Sequence, residues 1–209
     1  MNKIDNSIYK NLELLPLDLQ GWNGSSPIFH TLISKINPKT IIEVGSWKGL
    51  SAITMGKSVK SLGLSDTKIH CVDTWLGAVE FWGSHANTPE RNLLLKNGYP
   101  QIYYQFLSNV VHSGLEDIIL PFPNTSLIAA KYFKSIGLRS QMIYIDASHD
   151  EEDVYNDLKY YFELLDNGGV IFGDDYHNWL DVQKAVKRFS DDTHLGFEVV
   201  ENNFWVIYK

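Results

Sequence analysis

The stretch IIEVGSWKGLSAI, residues 41–53, places two glycines between a strand-like apolar run and a helix-like one. Gly45 would permit a tight turn, and Gly49 would let a ligand approach the backbone closely. The dinucleotide-binding fingerprint G-x-G-x-x-G is not met, because Trp47 stands where its middle glycine would fall. Asp73 ends the next apolar run, and its carboxylate could bind the two hydroxyls of a ribose. The pattern therefore predicts a site for a ribose-containing ligand, although the glycines could also serve only to turn the chain.

Acidic side chains stand at or next to the ends of four apolar runs: Glu43, Asp73, Asp146 and the adjacent pair Asp174 and Asp175. The pair follows the run 170–173, which is entered through Gly168 and Gly169 and is typical of a short buried strand. An unpaired buried charge is costly, so a buried strand seldom ends in two carboxylates without a reason. This distribution of acid indicates a role beyond solubility.

The elements that must position these residues follow from the hydrophobic pattern. Five apolar runs are predicted strands: 40–44, 68–73, 117–122, 141–146 and 169–174. Helix-like segments lie between most of them, and Val154, Leu158 and Tyr161 recur at helical spacing before the last strand. This alternation predicts an α/β, Rossmann-like, doubly wound sheet that is mostly parallel, with helices on both faces. Ligands bind at the carboxyl ends of such strands, where the acids are expected to meet.

Two segments depart from the alternation. Residues 76–116, rich in aromatic side chains, predict a helical insertion that forms a lid or a wall of the substrate site. The same aromatics could instead add core around an extra helix. Near the C-terminus, two apolar runs separated by residues 201–203 predict an antiparallel hairpin. The length of the chain suits one domain spanning residues 1–209.

Composition narrows the function classes. The net charge is −7 and Lys and Arg are dispersed, so neither a nucleic acid nor an anionic membrane is an expected partner. The single cysteine, Cys71, excludes an internal disulfide and a multi-thiolate metal site and is expected to pack in the core. No apolar run has the length of a signal-peptide core or a membrane span, so a soluble cytoplasmic protein is expected.

The motifs around the glycines resemble those of the class I S-adenosylmethionine-dependent methyltransferases. EVGSWKG (43–49) is similar to their first motif and CVDTW (71–75) to their second, and the similarity extends from about residue 40 to the last residue. The resemblance implies S-adenosylmethionine as cofactor, with its methionine part beside the first motif, its ribose on Asp73 and its adenine near the second motif. The implied cofactor residues are Glu43, Gly45, Ser46, Gly49, Asp73, Thr74, Trp75 and Asp146.

The second half of the chain, residues 143–176, is similar to the divalent-metal-dependent O-methyltransferases of catechol, caffeoyl-coenzyme A and macrolide sugars. This resemblance implies a metal held by Asp146, Asp174 and Asp175. Carboxylates are hard oxygen ligands, which suit Mg²⁺ or Ca²⁺. Such a cation would orient a hydroxyl of a small-molecule acceptor and lower its pKa.

His149 marks a departure from that subgroup, because the catechol and caffeoyl-coenzyme A enzymes commonly have a general-base lysine at this spacing after the metal aspartate. An unperturbed imidazole titrates near pH ~6.5 and could accept the hydroxyl proton. His149 could also be a metal ligand or a solvated residue at a helix start. His177 and Trp179 follow the acidic pair and could line the pocket.

Two other functions stay open on the sequence. One is a metal-independent methyltransferase acting on nitrogen or oxygen. The other is a binding domain that keeps the cofactor pocket without turnover. A dehydrogenase is disfavoured by Trp47 in the glycine motif. A homodimer is a possible assembly, and the sequence does not identify the acceptor.

Overall fold

A single seven-stranded sheet organises the computed structural model, which describes residues 6–82, 88–201 and 203–209. Its strands are β1 (Thr40–Val44), β2 (Lys68–Asp73), β3 (Ile119–Pro123), β4 (Ser140–Ile145), β5 (Leu165–Gly173), β6 (Glu198–Val200) and β7 (Phe204–Tyr208). They lie in the order β3-β2-β1-β4-β5-β7-β6. The first five are parallel, whereas β7 runs antiparallel to both β5 and β6. The predicted sheet and its C-terminal antiparallel hairpin are confirmed.

Helices cover both faces of the sheet, as expected for a doubly wound fold. They are α1 (Ile28–Ile36), α2 (Leu50–Ser61), α3 (Ile102–His112), α4 (Ser126–Ser135), α5 (Glu151–Leu164) and α6 (Leu180–Thr193). Apolar side chains of the first three helices share one buried cluster with the sheet, and those of the last three share another. Among the residues described, no helix combines the length and apolarity needed to cross a bilayer.

Three strands differ in their bounds from the sequence prediction. β3 begins at Ile119 rather than at residue 117, because the amides of Ile118 and Ile119 both bond the carbonyl of Leu115 in a turn. β4 spans 140–145 and leaves Asp146 just beyond the strand. β5 begins at Leu165, directly after α5, so the predicted start at residue 169 is wrong. Gly168 and Gly169 lie inside the strand, and their backbones bond that of the last residue, Lys209.

The segment predicted as an insertion has two parts. α3 is the crossover helix between β2 and β3, and Ile102, Phe106 and Val110 are wholly buried against the sheet. For α3, the extra-core alternative is therefore the correct one. The remaining described part contains two short 3₁₀ helices, Val79–Phe81 and Pro89–Arg91, while residues 83–87 lie outside the described chain.

Candidate active site

The glycine turn after β1 has its shape for reasons internal to the fold. Gly45 has a φ of +87°, and a β-carbon there would lie 1.9 Å from the carbonyl oxygen of Asp146. Gly49 has a φ of +90°, and a β-carbon there would lie 2.9 Å from the ring of Phe106. A side chain at either position would thus collide with its neighbours and strain the backbone. Both glycines are required to bring the turn against β4 and α3, whatever ligand it receives.

Asp73, at the end of β2, ties this turn to the neighbouring strand. Its Oδ2 accepts hydrogen bonds from the backbone amides of Ser46 and Trp47, at 2.9 and 2.8 Å. Its Oδ1 accepts one from the amide of Trp75 at 2.7 Å. Burial raises the pKa of Asp73, and these backbone donors limit the rise. The carboxylate therefore fixes the conformation of the glycine turn directly.

Glu43, on β1, also fixes the glycine turn through hydrogen bonds. It is wholly buried and accepts hydrogen bonds from the hydroxyls of Ser46 and Ser51, at 2.5 and 2.6 Å. Burial raises its pKa, and the two hydroxyls act in the opposite direction. Cys71, on the adjacent strand, is buried as predicted. Glu43 thus joins the turn to the first turn of α2.

The two residues predicted near the adenine have different surroundings. Thr74 is exposed at the end of β2. Trp75 is only 2 % exposed, and its ring lies about 5 Å from those of Tyr103 and Phe106. Its indole nitrogen donates to the carbonyl of Trp47 at 2.7 Å. Trp75 therefore belongs to the core beneath the turn, whereas Thr74 is accessible beside it.

A second group of polar side chains lies beyond β4 and β5. Asp146, His149 and Asp175 each offer a ligand atom, and these atoms lie within 4.8 Å of one another. The Nε2 of His149 is 2.9 Å from Oδ2 of Asp175, and its Nδ1 is 3.8 Å from Oε1 of Glu80. We call Asp146, His149 and Asp175 the acid–histidine cluster. Two of its members belong to the predicted metal set, and His149 stands in the third place.

Asp174, the third predicted ligand, is 4 % exposed and is not among the residues whose ligand atoms converge within 4.8 Å. Its Oδ1 accepts hydrogen bonds from the amide of Asp175 at 2.7 Å and from Nδ2 of Asn203 at 2.5 Å. Asp175 has a φ of +66°, so the backbone turns sharply between the two aspartates. The adjacent carboxylates therefore occupy different environments.

Charge within the acid–histidine cluster shifts the pKa of each member. Burial, together with the charges of Asp175 and Asp174, raises the pKa of Asp146 to about 7. Burial alone would lower the pKa of His149, but the hydrogen bond and charge of Asp175 outweigh it and raise that pKa. Burial acts to raise the pKa of Asp175, but the bonds from His149 and Asn178 lower it. The cluster thus favours a positive charge among its atoms, which an imidazolium or a metal cation can supply.

The short helix Val79–Phe81 connects the two halves of the site. Glu80 faces His149, and the ring of Phe81 packs edge-on against Trp47 in the glycine turn, with centroids 4.8 Å apart. On the other side, Trp179 stacks on the imidazole of His149 with a centroid separation of 4.4 Å and an interplanar angle of 3°. Part of the segment predicted as a substrate wall therefore adjoins both halves.

Three residues with no role predicted from the sequence contact the site carboxylates or the histidine: Glu80, Tyr144 and Asn203. The hydroxyl of Tyr144 donates to Oδ2 of Asp146 at 3.0 Å. Two-residue spacing at the end of β4, which in an extended chain places both side chains on one face, was the signal available for that pair. Glu80 and Asn203 are distant in sequence from the residues they contact, and no pattern marked them.

Comparison with known proteins identifies the class. A model of the methyltransferase domain family matches residues 42–176, and the chain belongs to that family. It is therefore a class I methyltransferase, and the predicted enzyme class, an S-adenosylmethionine-dependent methyltransferase, is confirmed. No curated protein matches the chain in sequence.

Solved structures agree on the fold. The O-methyltransferase from Bacillus cereus in complex with SAH is 15 % identical, with 97 % of this chain and 88 % of that chain covered and a TM-score of 0.61. The O-methyltransferase TomG from Streptomyces achromogenes, involved in tomaymycin synthesis and solved with SAM, is 14 % identical, with coverages of 93 % and 82 % and a TM-score of 0.63. Both structures are similar to this chain in architecture along most of its length.

Proposed function

We propose that the protein transfers the methyl group of S-adenosylmethionine to a hydroxyl of a small molecule, with a divalent cation held by the acid–histidine cluster. One observation carries the proposal. The ligand atoms of Asp146, His149 and Asp175 converge within 4.8 Å at the carboxyl edge of the sheet. That is the edge where such sheets bind ligands, and the glycine turn of the methyltransferase family lies on the same edge.

The cofactor half of the proposal depends on the glycine turn. Asp73 holds the amides of Ser46 and Trp47, so the turn has a fixed surface on which a cofactor would lie. Thr74 is accessible next to it. The two solved structures of this fold named above are complexes, one with SAH and the other with SAM. We assign the ribose contact to Asp73 and the methionine contacts to the backbone of residues 45–49.

The cation half depends on the donor set. Two carboxylates of hard oxygen suit Mg²⁺ or Ca²⁺, and an imidazole extends the range toward first-row ions such as Mn²⁺. The bound cation would orient the acceptor hydroxyl and lower its pKa. Asp146 and Asp175 would hold the ion from the ends of neighbouring strands. Asp174 would support them through its bond to the amide of Asp175.

His149 fits a ligand better than a free general base. Its Nε2 lies against Asp175 and its Nδ1 faces Glu80, so each ring nitrogen has a carboxylate oxygen nearby. Both carboxylates stabilise the protonated form of the ring, and a ring that already holds this proton cannot accept one from a substrate. A cation among the same atoms would take the place of that positive charge. We therefore assign His149 to the cation shell and leave the hydroxyl proton to solvent.

The test measures cation binding directly. Millimolar Mg²⁺, Ca²⁺ or Mn²⁺ should raise the melting temperature of the wild-type protein by several degrees, because a ligand bound only by the folded state stabilises it. Asp175→Asn should lose most of that shift. Asp181→Asn, which changes an exposed acid paired with Lys184 at 2.7 Å, is the matched control and should keep it.

The same protein samples separate the alternatives. If no cation stabilises the wild type while S-adenosylmethionine binds, the metal-independent methyltransferase is the correct function. If both bind but no methyl group is transferred to any of a panel of diols and sugars, the binding domain without turnover is the correct one. Cation-dependent transfer that Asp175→Asn abolishes is the result expected here.

A further inference from the structure

The C-terminal hairpin brings its turn to the edge of the sheet where the acid–histidine cluster lies. β7 runs antiparallel to β5, and Gly173 at the end of β5 pairs with Trp205 near the start of β7. The turn between β6 and β7 therefore lies beside the loop that carries Asp174 and Asp175. Among the described residues of that turn, its last residue, Asn203, contacts this loop.

Asn203 makes three hydrogen bonds to three residues of the loop. Its Nδ2 donates to Oδ1 of Asp174 at 2.5 Å. Its Oδ1 accepts from the amide of His177 at 3.0 Å. Its backbone carbonyl accepts from the amide of Tyr176, also at 3.0 Å. Both ends of the side-chain amide are used, and asparagine is suited to such a place because it offers a donor and an acceptor together.

These bonds bear on the orientation of Asp175. The Oδ1 atom that Asn203 binds on Asp174 also accepts the amide of Asp175 at 2.7 Å. Asp175 has a left-handed backbone conformation, with a φ of +66°, that a residue with a side chain adopts only when its surroundings hold it there. In this conformation its Oδ2 lies 2.9 Å from Nε2 of His149. Asn203, Asp174 and the amide of Asp175 thus form a continuous chain of bonds that ends at the cluster.

We infer that Asn203 is a positioning residue that holds Asp175 in place for cation binding and catalysis. The inference rests on the proposed function, since the cation is the group toward which Asp175 is held. It assigns a catalytic purpose to the hairpin turn. It also explains why Asp174 is buried against protein donors, because Asp174 transmits the position of Asn203 to Asp175.

The experiment compares Asn203→Ala with Glu201→Ala in otherwise full-length protein. Glu201 lies in the same turn, but its side chain accepts a hydrogen bond from Ser26 rather than binding the loop that carries Asp174 and Asp175, so its removal reports any general loosening of the turn. Three quantities are measured: the affinity for Mn²⁺ or Mg²⁺ alone by calorimetry, the affinity for S-adenosylmethionine, and hydrogen exchange of the His177 amide by NMR.

For Asn203→Ala, cation affinity should fall about tenfold or more and exchange of the His177 amide should accelerate by at least tenfold, with cofactor affinity within about twofold of wild type. Glu201→Ala should leave all three nearly unchanged. The inference is overturned if folded Asn203→Ala keeps the wild-type cation affinity. It is also overturned if both variants lose affinity for the cation and for the cofactor to the same extent. If the wild type binds no cation, the metal proposal fails on its own. Asn203 is then judged by His177 exchange and by kcat, which should fall in Asn203→Ala without a matching change in the KM for the cofactor.

Discussion

The carboxylates at the two halves of the sheet's carboxyl edge have opposite kinds of partners. In the glycine-turn half, Asp73 accepts three backbone amides and Glu43 accepts two serine hydroxyls, all from residues in the turn or next to it. In the other half, Asp146 and Asp175 lie within ligand distance of each other and of His149. Carboxylates supplied with neutral donors shape the backbone, whereas carboxylates that face each other need a positive charge between them.

The largest effect that tests this contrast is expected for Asp73→Ala. The substitution removes the acceptor of three backbone amides as well as the assigned ribose contact. Charge-assisted hydrogen bonds contribute roughly 1.5–3 kcal/mol each, so S-adenosylmethionine affinity should fall about 100-fold or more in calorimetry. The shift in melting temperature produced by a cation should persist, because the acid–histidine cluster is not touched.

Two results would break the contrast. Wild-type cofactor affinity in a folded Asp73→Ala protein would mean that Asp73 neither binds the ribose nor shapes a cofactor surface. Loss of the cation response together with cofactor binding would mean that the two halves form one cooperative unit.

Much of this arrangement was predictable from the sequence. Strand–helix alternation predicts parallel strands, and parallel strands bring their carboxyl ends to one edge, so acids at strand ends were expected to meet. The choice between Asp174 and Asp175 was not predictable. It depends on the left-handed backbone at Asp175 and on Asn203, a residue in a different hairpin. Local periodicity contains no information about such contacts.

Trp75 gives a second example of this limit. The motif around it resembles one that lies near the adenine in the methyltransferases, yet a φ of +53° at Trp75 directs the chain so that its indole enters the core. Tyr103 and Phe106, which pack against it, come from α3, a helix that the sequence analysis assigned to an insertion. The position of a side chain relative to a site was decided by packing between distant elements.

Asp157, a buried carboxylate away from the carboxyl edge of the sheet, tests whether a raised pKa alone identifies a functional group. Asp157 in α5 is 6 % exposed and accepts a hydrogen bond from the hydroxyl of Ser126. Burial raises its pKa to about 7, the same value as for Asp146. It has no place in the site, so Asp157→Asn should leave methyl transfer and cation binding unchanged.

The same variant should change the dependence of stability on pH. Because the folded state holds the Asp157 proton more tightly than the unfolded chain, wild-type stability should fall as pH rises from about 4 to 7 and stay low above that. Asparagine removes this contribution. At pH 8 the free energy of unfolding should therefore rise by about 2–4 kcal/mol relative to wild type, with little gain at pH 4, as measured by urea denaturation. An equal effect at both pH values would show that the Asp157 carboxyl is not the group that titrates.

The smallest effect, and the finest test of the contrast, is expected for Tyr144→Phe. Tyr144 is wholly buried, and its ring packs against Phe29 and Phe172 with centroids about 5 Å away, so phenylalanine keeps the packing. The substitution removes only the hydroxyl that donates to Asp146. A single hydrogen bond to a charged group contributes roughly 1.5–3 kcal/mol when lost outright, and less when solvent replaces the donor. Cation affinity should therefore fall by about three- to tenfold.

The matched control for this variant is Tyr161→Phe. Tyr161 is also wholly buried, and its hydroxyl donates at 2.9 Å to the carbonyl of Ser126, on the face of the sheet covered by α4 and α5. Both variants should lower the melting temperature by similar small amounts. Only Tyr144→Phe should lower the affinity for the cation, and neither variant should alter the affinity for the cofactor. If Tyr161→Phe lowered the cation affinity equally, a general loss of rigidity would explain both results. If neither variant lowered the cation affinity, the hydrogen bond from Tyr144 would not be required to orient Asp146 toward the cation.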